Sequence, residues 1–452
     1  MTKLFGTDGI RGIANEDPLT PDLAYRLGRE LVATLMSRGR DPQVRLVIGR
    51  DTRLSGPMLE AALTAGALSA GAECVAAGVL PTPGIAILTR ELRAHGGVVL
   101  SASHNPFEDN GIKLFSGEGS KFPDAWEAEI ETRLGGPDSA PRPSGAGIGC
   151  LVPYARAEAD YIRFLRAAFG LDLRGFALVL DCAHGATYRV APRLFRGLGA
   201  RVITLGTRPD GTNINRGCGA LFPQALQTKV KATGAHVGFA FDGDGDRLIA
   251  VDETGKVRDG DYLLAICARH LKGKGELKGN QVVTTVMANL GLDRSLAEAR
   301  IGVVKTQVGD RYVLEEMERR GAYLGGEQSG HLIFLDRAPT GDGLLSALQL
   351  LAVMRERDEG LSALARCLTK VPQVLVNVPV REKPPIESIP GLAARTRELE
   401  SAMNGAGRIL VRYSGTEPLA RVMIEGEDRL GIQAMAQELA ALIARAIGAD
   451  PA

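Results

Sequence analysis

Three aspartates alternate with glycine in Asp242-Gly243-Asp244-Gly245-Asp246-Arg247. That spacing can turn several carboxylate oxygens toward one small, hard cation. The apolar run Val237 to Phe241 just before it reads as a strand, which places the loop at a strand's C-terminal edge, where α/β proteins carry their sites. Three carboxylates this close repel one another, a cost that a bound cation offsets. The segment lacks the twelve-residue loop and closing glutamate of an EF-hand, so Mg²⁺ is favoured over Ca²⁺, with Mn²⁺ as a substitute.

A second polar loop, Ser101-Ala102-Ser103-His104-Asn105-Pro106, follows the apolar strand Val98 to Leu100. Serine beside histidine invites a hydrolase reading, but the GxSxG elbow is absent and adjacency in sequence does not set imidazole on the hydroxyl. Two readings stand: a serine that carries a phosphoryl group beside a metal loop, or a turn or capping serine. Lys113 in Asp109-Asn110-Gly111-Ile112-Lys113 can neutralise charge there or sit on the surface. In Gly325-Gly326-Glu327-Gln328-Ser329-Gly330-His331, Glu327 and Ser329 offer an acceptor and a donor suited to sugar hydroxyls or an amine, with a helix cap as the plainer reading. Arg412-Tyr413-Ser414-Gly415-Thr416-Glu417-Pro418, with Arg421 beyond, has the makings of an anion cradle: a glycine turn, two hydroxyls and arginine forks. The Walker lysine motif is absent, so a nucleotide phosphate is not implied.

The elements that must position these loops are legible from periodicity. Thr20 and Pro21 open a helix with the stripe Leu23, Leu27, Leu31 and Leu35, and strands at 44–48, 73–77 and 97–100 alternate with helices at 57–70 and 84–93. Gly6 to Gly12 reads as a loop with a lone cation, Arg11. Strands separated by helices of this length predict βα units and a mostly parallel sheet. A Pro-, Gly- and Ser-rich stretch at 135–149 predicts an ordered loop. The cycle restarts with helices at 155–169, 189–198 and 222–233 and strands at 177–180, 201–205 and 237–241. It starts again beyond Asp259-Gly260-Asp261, with strands at 281–286 and 301–305 and helices to His270, at 289–299 and at 310–320. From Val371 the pattern becomes α+β: strands at 374–380, 409–412 and 420–425, and helices at 389–402 and 431–447. The expected organisation is three consecutive mixed α/β domains with helices packed around sheets, at 1–154, 155–256 and 257–370, and a smaller C-terminal α+β domain at 371–452.

Composition excludes several classes. The 452 residues are 45% hydrophobic and 24% charged, with 54 Lys plus Arg against 53 Asp plus Glu. A net charge of +1, with no basic, aromatic-interleaved stretch, gives nucleic-acid binding no support. No stretch approaches the roughly 18 consecutive apolar residues of a membrane span, and the N-terminus turns polar too early for a signal peptide. Six scattered cysteines without a CxxC pair predict reduced, mostly buried thiols in a cytoplasm.

Taken together, the four loops resemble the α-D-phosphohexomutase family in order and in spacing, over essentially the whole chain. Ser101 to Pro106 looks like the phosphoserine loop, Asp242 to Arg247 the metal loop, Gly325 to His331 the sugar-binding loop and Arg412 to Pro418 the phosphate-binding loop. Gly6-Thr7-Asp8-Gly9-Ile10-Arg11-Gly12, Gln328 and Asp210 to Asn215 are similar to the branch acting on glucosamine phosphates; a phosphomannomutase/phosphoglucomutase of broader specificity is the alternative. His184 departs from the asparagine usual in relatives. The resemblance implies four domains around a central cleft and the reversible conversion of glucosamine 6-phosphate to glucosamine 1-phosphate, which feeds UDP-N-acetylglucosamine and peptidoglycan. It implies phosphoryl transfer through Ser103, with glucosamine 1,6-bisphosphate as intermediate and activator. One Mg²⁺ per subunit would be held by Asp242, Asp244, Asp246 and the Ser103 phosphate. Arg11, His104, Lys113 and Arg247 would support the reaction, Glu327 and Ser329 the sugar, and Arg412, Ser414, Gly415, Thr416 and Arg421 the second phosphate. The implied partner is a small sugar phosphate, with no nucleic acid and no membrane; a homodimer is left open.

Overall fold

The computed structural model describes residues 4–6, 8–39, 43–138, 140–414 and 418–449. Two compact units divide the chain: residues 1–287 with 301–366, and residues 288–300 with 367–452.

The first unit holds three sheets. Strands β1 (Ile10–Ile13), β2 (Arg45–Arg50), β3 (Glu73–Val79), β4 (Gly96–Leu100), β5 (Asp109–Ser116) and β6 (Cys150–Pro153) lie in the order β1-β5-β4-β2-β3-β6. Strands β4, β2, β3 and β6 run parallel, as the βα rhythm predicts. By contrast β5 pairs antiparallel with both β1 and β4; β1 comes from a segment read as a loop and β5 from one given no element. Their glycines and asparagine hide the strand pattern, yet Ile10, Ile112, Leu114 and Phe115 are buried. Helices α1 (Pro21–Met36), α2 (Gly56–Ser69), α3 (Thr82–Glu91) and α4 (Asp124–Gly135) complete this domain. The Thr20 hydroxyl caps α1 by accepting from Leu23 N, and Leu27, Leu31 and Leu35 share one core with Leu63 of α2 and Ile130 of α4.

Helices α5 (Ala157–Phe169), α6 (Thr187–Gly197) and α7 (Gln224–Thr233) accompany the second sheet. Its strands β7 (Ala177–Asp181), β8 (Arg201–Leu205), β9 (Val237–Phe241), β10 (Leu248–Asp252) and β11 (Val257–Arg258) are ordered β11-β10-β9-β7-β8. Strand β10 pairs antiparallel with β9, Leu248 opposite Phe241, so the aspartate loop is the turn of a hairpin leaving a parallel strand. The third group runs α8 (Gly260–Gly273), β12 (Gln281–Thr285), α9 (Leu290–Glu298), β13 (Gly302–Thr306), α10 (Asp310–Arg320), β14 (Leu324–Gly326), β15 (Leu332–Phe334), α11 (Gly343–Arg357) and α12 (Leu361–Leu364). Its sheet is ordered β13-β12-β14-β15, and the loop holding Glu327 is the turn between antiparallel β14 and β15. Helix α11 has no counterpart in the sequence reading. It is buried on all sides from Gly343 to Met354, so it shows no apolar stripe for periodicity to detect.

The second unit contains β16 (Gln373–Pro379), α13 (Leu392–Ala402), β17 (Arg408–Tyr413), β18 (Leu419–Glu425) and α14 (Arg429–Ile447). An antiparallel sheet in the order β16-β18-β17 shares its core with these helices: Val374, Val422 and Ile424 with Leu399, Ile432, Leu439 and Ile443. By length and composition α14 passes for a membrane span, but it packs that row of side chains on the sheet. Helix α9 belongs to this unit although its neighbours in sequence belong to the first. Asn289 caps it through Gly291 N, and its amide donates to Val371 O at 3.0 Å and Glu425 Oε1 at 2.9 Å. The thiols of Cys74, Cys182 and Cys267 are buried, but Cys150 is exposed and Cys218 and Cys367 half-buried, fewer inside than composition suggested.

Candidate active site

Ser103 lies just beyond the C-terminal end of β4, buried, with φ of 51°, a left-handed turn that aims its side chain out of the strand direction. The neighbouring residues force this turn. Ser101 Oγ donates to Asp51 Oδ2 at 2.5 Å and accepts from Ser103 N at 3.0 Å. The Arg53 guanidinium, gripped by Asp51 at 2.8 Å, donates to the carbonyls of Ser103 (3.0 Å), Asn105 (2.9 Å), Asp109 (2.9 Å) and Pro106. Asn215, on the loop after β8, donates to the same Ser103 and Asn105 carbonyls at 2.9 Å each. The carbonyls of Ser103, Asn105, Pro106 and Asp109 thus each find a buried donor.

The metal loop meets this turn directly. Ser103 Oγ donates to Asp242 Oδ2 at 2.6 Å, and one oxygen from each of Asp242, Asp244 and Asp246 lies within 4.8 Å of the others. Asp244 Oδ2 accepts from Thr82 Oγ1 at 2.6 Å and from Lys113 Nζ at 2.8 Å. Asp244 Oδ1 and Asp246 Oδ1 are buried and accept no hydrogen bond from the described residues. Burial, then the charges of Asp246 and Asp244, push the Asp242 carboxyl well above its ordinary range. Burial, then Asp244, also raises Asp246. Asp244 moves the other way: burial would raise it, but Lys113 beside it and the Lys113 and Thr82 donors hold it low. Crowded buried carboxylates with outward oxygens left bare are the donor set a divalent cation fits.

The supporting side chains fall around this cluster. Lys113, on β5 and not at the surface, is buried against Asp244, with Asp8 Oδ2 at 3.1 Å and Asp246 Oδ2 at 3.8 Å. Arg11, on β1, pairs with Asp8 and reaches Ala102 O and Asn105 Oδ1 at 3.4 Å each. His104 Nδ1 is 3.3 Å from Ser103 Oγ; burial, with Arg247 and Arg11 nearby, lowers the imidazole to about 3, so it is neutral at pH 7. Arg247 N donates to Asp242 Oδ1 at 3.2 Å, and Arg247 and His331 form a bridge between the metal hairpin and the β14–β15 hairpin. In the latter, Glu327 Oε1 accepts from Gly309 N at 3.2 Å and Glu327 Oε2 accepts from Ser329 Oγ at 3.3 Å. The first unit therefore brings together the serine, metal and Glu327 loops.

The arginine turn lies in the second unit. Arg412 on β17 and Arg421 on β18 are directly opposite each other, which sets two arginines side by side at the end of the sheet. Ser414 is buried; its N donates to Leu419 O at 2.8 Å and its carbonyl accepts from Lys383 Nζ at 2.7 Å. Gly415 and Thr416 lie outside the described residues.

Sequence reasoning passed over several partners. Arg53 had a local sign, the Asp51-x-Arg53 pair at the exit of a buried strand. Thr82 had none, since it acts on Asp244, 162 positions away; Asp8, Asn215 and His331 lay inside loops already singled out, but their contacts with Lys113 and Lys121, with Ser103 and with Asp310 are far away in sequence. His184 sits at φ 52°, a left-handed conformation that asparagine adopts more readily than histidine. Here the His184 ring accepts from Arg208 N at 3.2 Å, and its carbonyl accepts from Thr52 Oγ1 at 2.6 Å.

Comparison with known proteins places this architecture. The phosphoglucomutase/phosphomannomutase family matches through all four of its domains: α/β/α domain I at residues 2–140, domain II at 159–255, domain III at 259–371 and the C-terminal domain at 375–442. The chain belongs to this family, the α-D-phosphohexomutases. Within it, the chain is 51% identical over 449 residues to a phosphoglucosamine mutase of Syntrophotalea carbinolica, covering 99% of this chain and 98% of that one. It is 52% identical over 446 residues to a phosphoglucosamine mutase of Desulforudis audaxviator, covering 98% of each. Among solved structures, a phosphoglucomutase/phosphomannomutase family protein from Burkholderia thailandensis superposes with a TM-score of 0.82 at 26% identity, covering 98% of this chain and 97% of that one. An N-acetylphosphoglucosamine mutase from Aspergillus fumigatus shares the fold at a TM-score of 0.70 and 20% identity, covering 98% and 96%.

Proposed function

We propose that this chain interconverts glucosamine 6-phosphate and glucosamine 1-phosphate, carrying the phosphoryl group on Ser103. The observation that carries the reading is the buried Ser103 hydroxyl, 2.6 Å from Asp242 in the three-aspartate cluster. Full-length identity of 50–52% to phosphoglucosamine mutases supports the choice of sugar over the broader phosphomannomutase/phosphoglucomutase alternative. Domain divisions at 1–154, 155–256, 257–370 and 371–452 go with this reading.

In the resting enzyme Ser103 Oγ is phosphorylated. The Oγ–P bond breaks as a bond forms from phosphorus to the free hydroxyl of the sugar monophosphate, and the proton that hydroxyl loses is balanced by the one the released Ser103 Oγ takes up; Lys113, held as an ammonium by Asp244, Asp8 and Asp246, offsets charge beside the cluster. The product of this half is glucosamine 1,6-bisphosphate. It turns around, and its other phosphoryl group returns to Ser103 while the second monophosphate leaves. Asp242, Asp244, Asp246 and the Ser103 phosphate hold one Mg²⁺ per subunit, which when bound offsets charge on the transferring phosphoryl group. Arg11, His104 and Arg247 line the serine turn and keep it cationic or neutral, the environment a dianionic phosphoserine needs. Glu327 and Ser329 bind ring hydroxyls or the amine. Arg412, Ser414, Gly415, Thr416 and Arg421 grip the phosphate that is not transferred. The enzyme acts in the cytoplasm, where its substrates and reduced thiols belong.

Intact-protein and tandem mass spectrometry, with a coupled assay on glucosamine 6-phosphate, test the reading. The phosphate maps to the Ser103 peptide, and Ser103→Ala has no turnover even with added glucosamine 1,6-bisphosphate. Turnover in that variant, or a phosphate on another residue of the active preparation, overturns it.

A further inference from the structure

Around the aspartate cluster charged and polar side chains close into a ring. From Asp244, Lys113 Nζ at 2.8 Å leads to Asp8 Oδ2 at 3.1 Å. Asp8 Oδ1 leads to Lys121 Nζ at 2.6 Å, and Lys121 to Asp310 Oδ2 at 2.7 Å. Asp310 Oδ2 lies 3.6 Å from His331 Nε2, which lies 3.8 Å from Asp246 Oδ2, back on the loop where the ring began. Its members come from before β1 (Asp8), β5 (Lys113), the turn after β5 (Lys121), the β9–β10 hairpin (Asp244, Asp246), the first turn of α10 (Asp310) and the β14–β15 hairpin (His331). Three sheets are thereby joined by side chains that are mostly or fully buried.

We propose that Lys121 is a positioning residue of the phosphoryl-transfer site. It touches neither the serine nor the aspartate loop, but it joins Asp8, on the Lys113 side of the ring, to Asp310, on the His331 side. The geometry on both sides supports this. Lys113 occupies Oδ2 of Asp244 and so turns Oδ1 outward, free of hydrogen bonds from the described residues. On the other side the His331 ring is seated by Gly341, where a Cβ would come within 2.3 Å of the ring atoms. The first turn of α10 is anchored a second time by Arg311, which donates to Glu127 Oε1 of α4 at 2.8 Å and also pairs with Asp124. Without Lys121, the carboxylates of Asp8 and Asp310 face each other with no cation between them and move apart. Lys113 follows Asp8, His331 is freed from Asp310, and the aspartate loop loses what orients it from both sides.

The inference deepens the proposed reaction, and one arm of its test needs no turnover. Removing a cation near an acidic cluster tightens Mg²⁺ by charge alone, whereas removing a positioning residue weakens it, so the sign decides. In Lys121→Met, Mg²⁺ titrated calorimetrically into the full-length protein binds about ten- to a hundred-fold more weakly, the usual effect of losing a group that orients metal ligands. In the coupled assay kcat falls by a similar factor while KM for glucosamine 6-phosphate stays within about three-fold. Lys121→Arg, which keeps both ion pairs, recovers most of each loss. Lys121→Gln, which removes the same charge but keeps a polar side chain, serves if Lys121→Met does not fold; it shows the same two losses. Unchanged or tighter Mg²⁺ binding in the folded variants overturns the positioning role. A native protein that binds Mg²⁺ but does not turn over glucosamine phosphates overturns the mutase reading instead, and the calorimetric arm still decides the ring.

Discussion

Gly243 is where the serine loop and the metal loop come closest, and it offers a direct test of how rigidly they are held. A Cβ at this position would lie 2.4 Å from the Ser103 carbonyl oxygen, 2.8 Å from Asn215 Nδ2 and 2.9 Å from Ile214 Cδ1. Ordinary contact begins at 3.4 Å, so Gly243→Ala must open the gap by 3.4 − 2.4 = 1.0 Å. The backbone of Gly243 itself carries no left-handed strain, so space alone is at issue. The Ser103 carbonyl cannot yield freely, because Arg53 and Asn215 hold it at 3.0 and 2.9 Å. Either those bonds stretch, at about 1–3 kcal/mol for each lost, or the aspartate loop backs away from Ser103. A misplacement of about 1 Å between reacting groups costs roughly a hundred-fold in rate. The expected result is therefore a kcat reduced about a hundred-fold with KM little changed, together with a melting temperature lowered by several degrees. The control is Gly234→Ala, at the C-terminal cap of α7 with φ 58° and no neighbour within 4 Å. It loses about 1 kcal/mol of stability and keeps its kcat. A Gly243→Ala enzyme with kcat within about three-fold of the parent and the same melting temperature would refute the claim that this contact sets the distance between the loops.

Three further outcomes follow from the same contacts. Asp244→Asn keeps the shape of a buried residue but removes the charge shared by Lys113 and the cation; calorimetry should show Mg²⁺ affinity lowered about a hundred-fold or more in a protein that still folds. Alanine at that position is the poorer test, because Asp244 is 1% exposed and its loss strands Lys113. Arg421→Ala should raise KM for both monophosphates about ten- to a hundred-fold, the worth of one charge-assisted phosphate contact, in kinetics run in both directions. Asp342, which caps α11 through Leu344 N and Leu345 N, is raised from 3.8 to about 6, chiefly by burial. A raised carboxyl makes the folded state keep its proton longer, so stability is lost as pH climbs from about 4 to about 6, by up to about 3 kcal/mol. Asp342→Asn keeps the cap and, since the Tyr161 hydroxyl can turn to accept, should flatten that slope and stabilise the protein above pH 6; urea titrations from pH 4 to 8 without added metal check it.

The loops were legible in the sequence because each is a short run of polar residues set where an apolar strand stops. Val237 to Phe241 followed by alternating aspartates, and Val98 to Leu100 followed by Ser103, are local signals, and β9 and its hairpin turn lie where they put them. What holds the loops is not local. Arg53 binds the carbonyl of a residue 50 positions away, Asn215 the same carbonyl from 112 positions away, and Lys121 joins carboxylates 113 and 189 positions from itself. A lysine in the polar turn after Phe115 looks like any solvated lysine until those two partners are in place. Periodicity failed for a related reason at α11, whose wholly buried sides erase the polar face, and at β1 and β5, where glycine and asparagine interrupt the alternation. The residues that would touch substrate thus announce themselves by type, because chemistry dictates type. Those that fix where the first group sits are ordinary arginines, asparagines and lysines whose only distinguishing property is a long-range contact. For that reason Lys121 and Gly243, neither of which would touch substrate, are more searching tests of this site than another substitution of an aspartate.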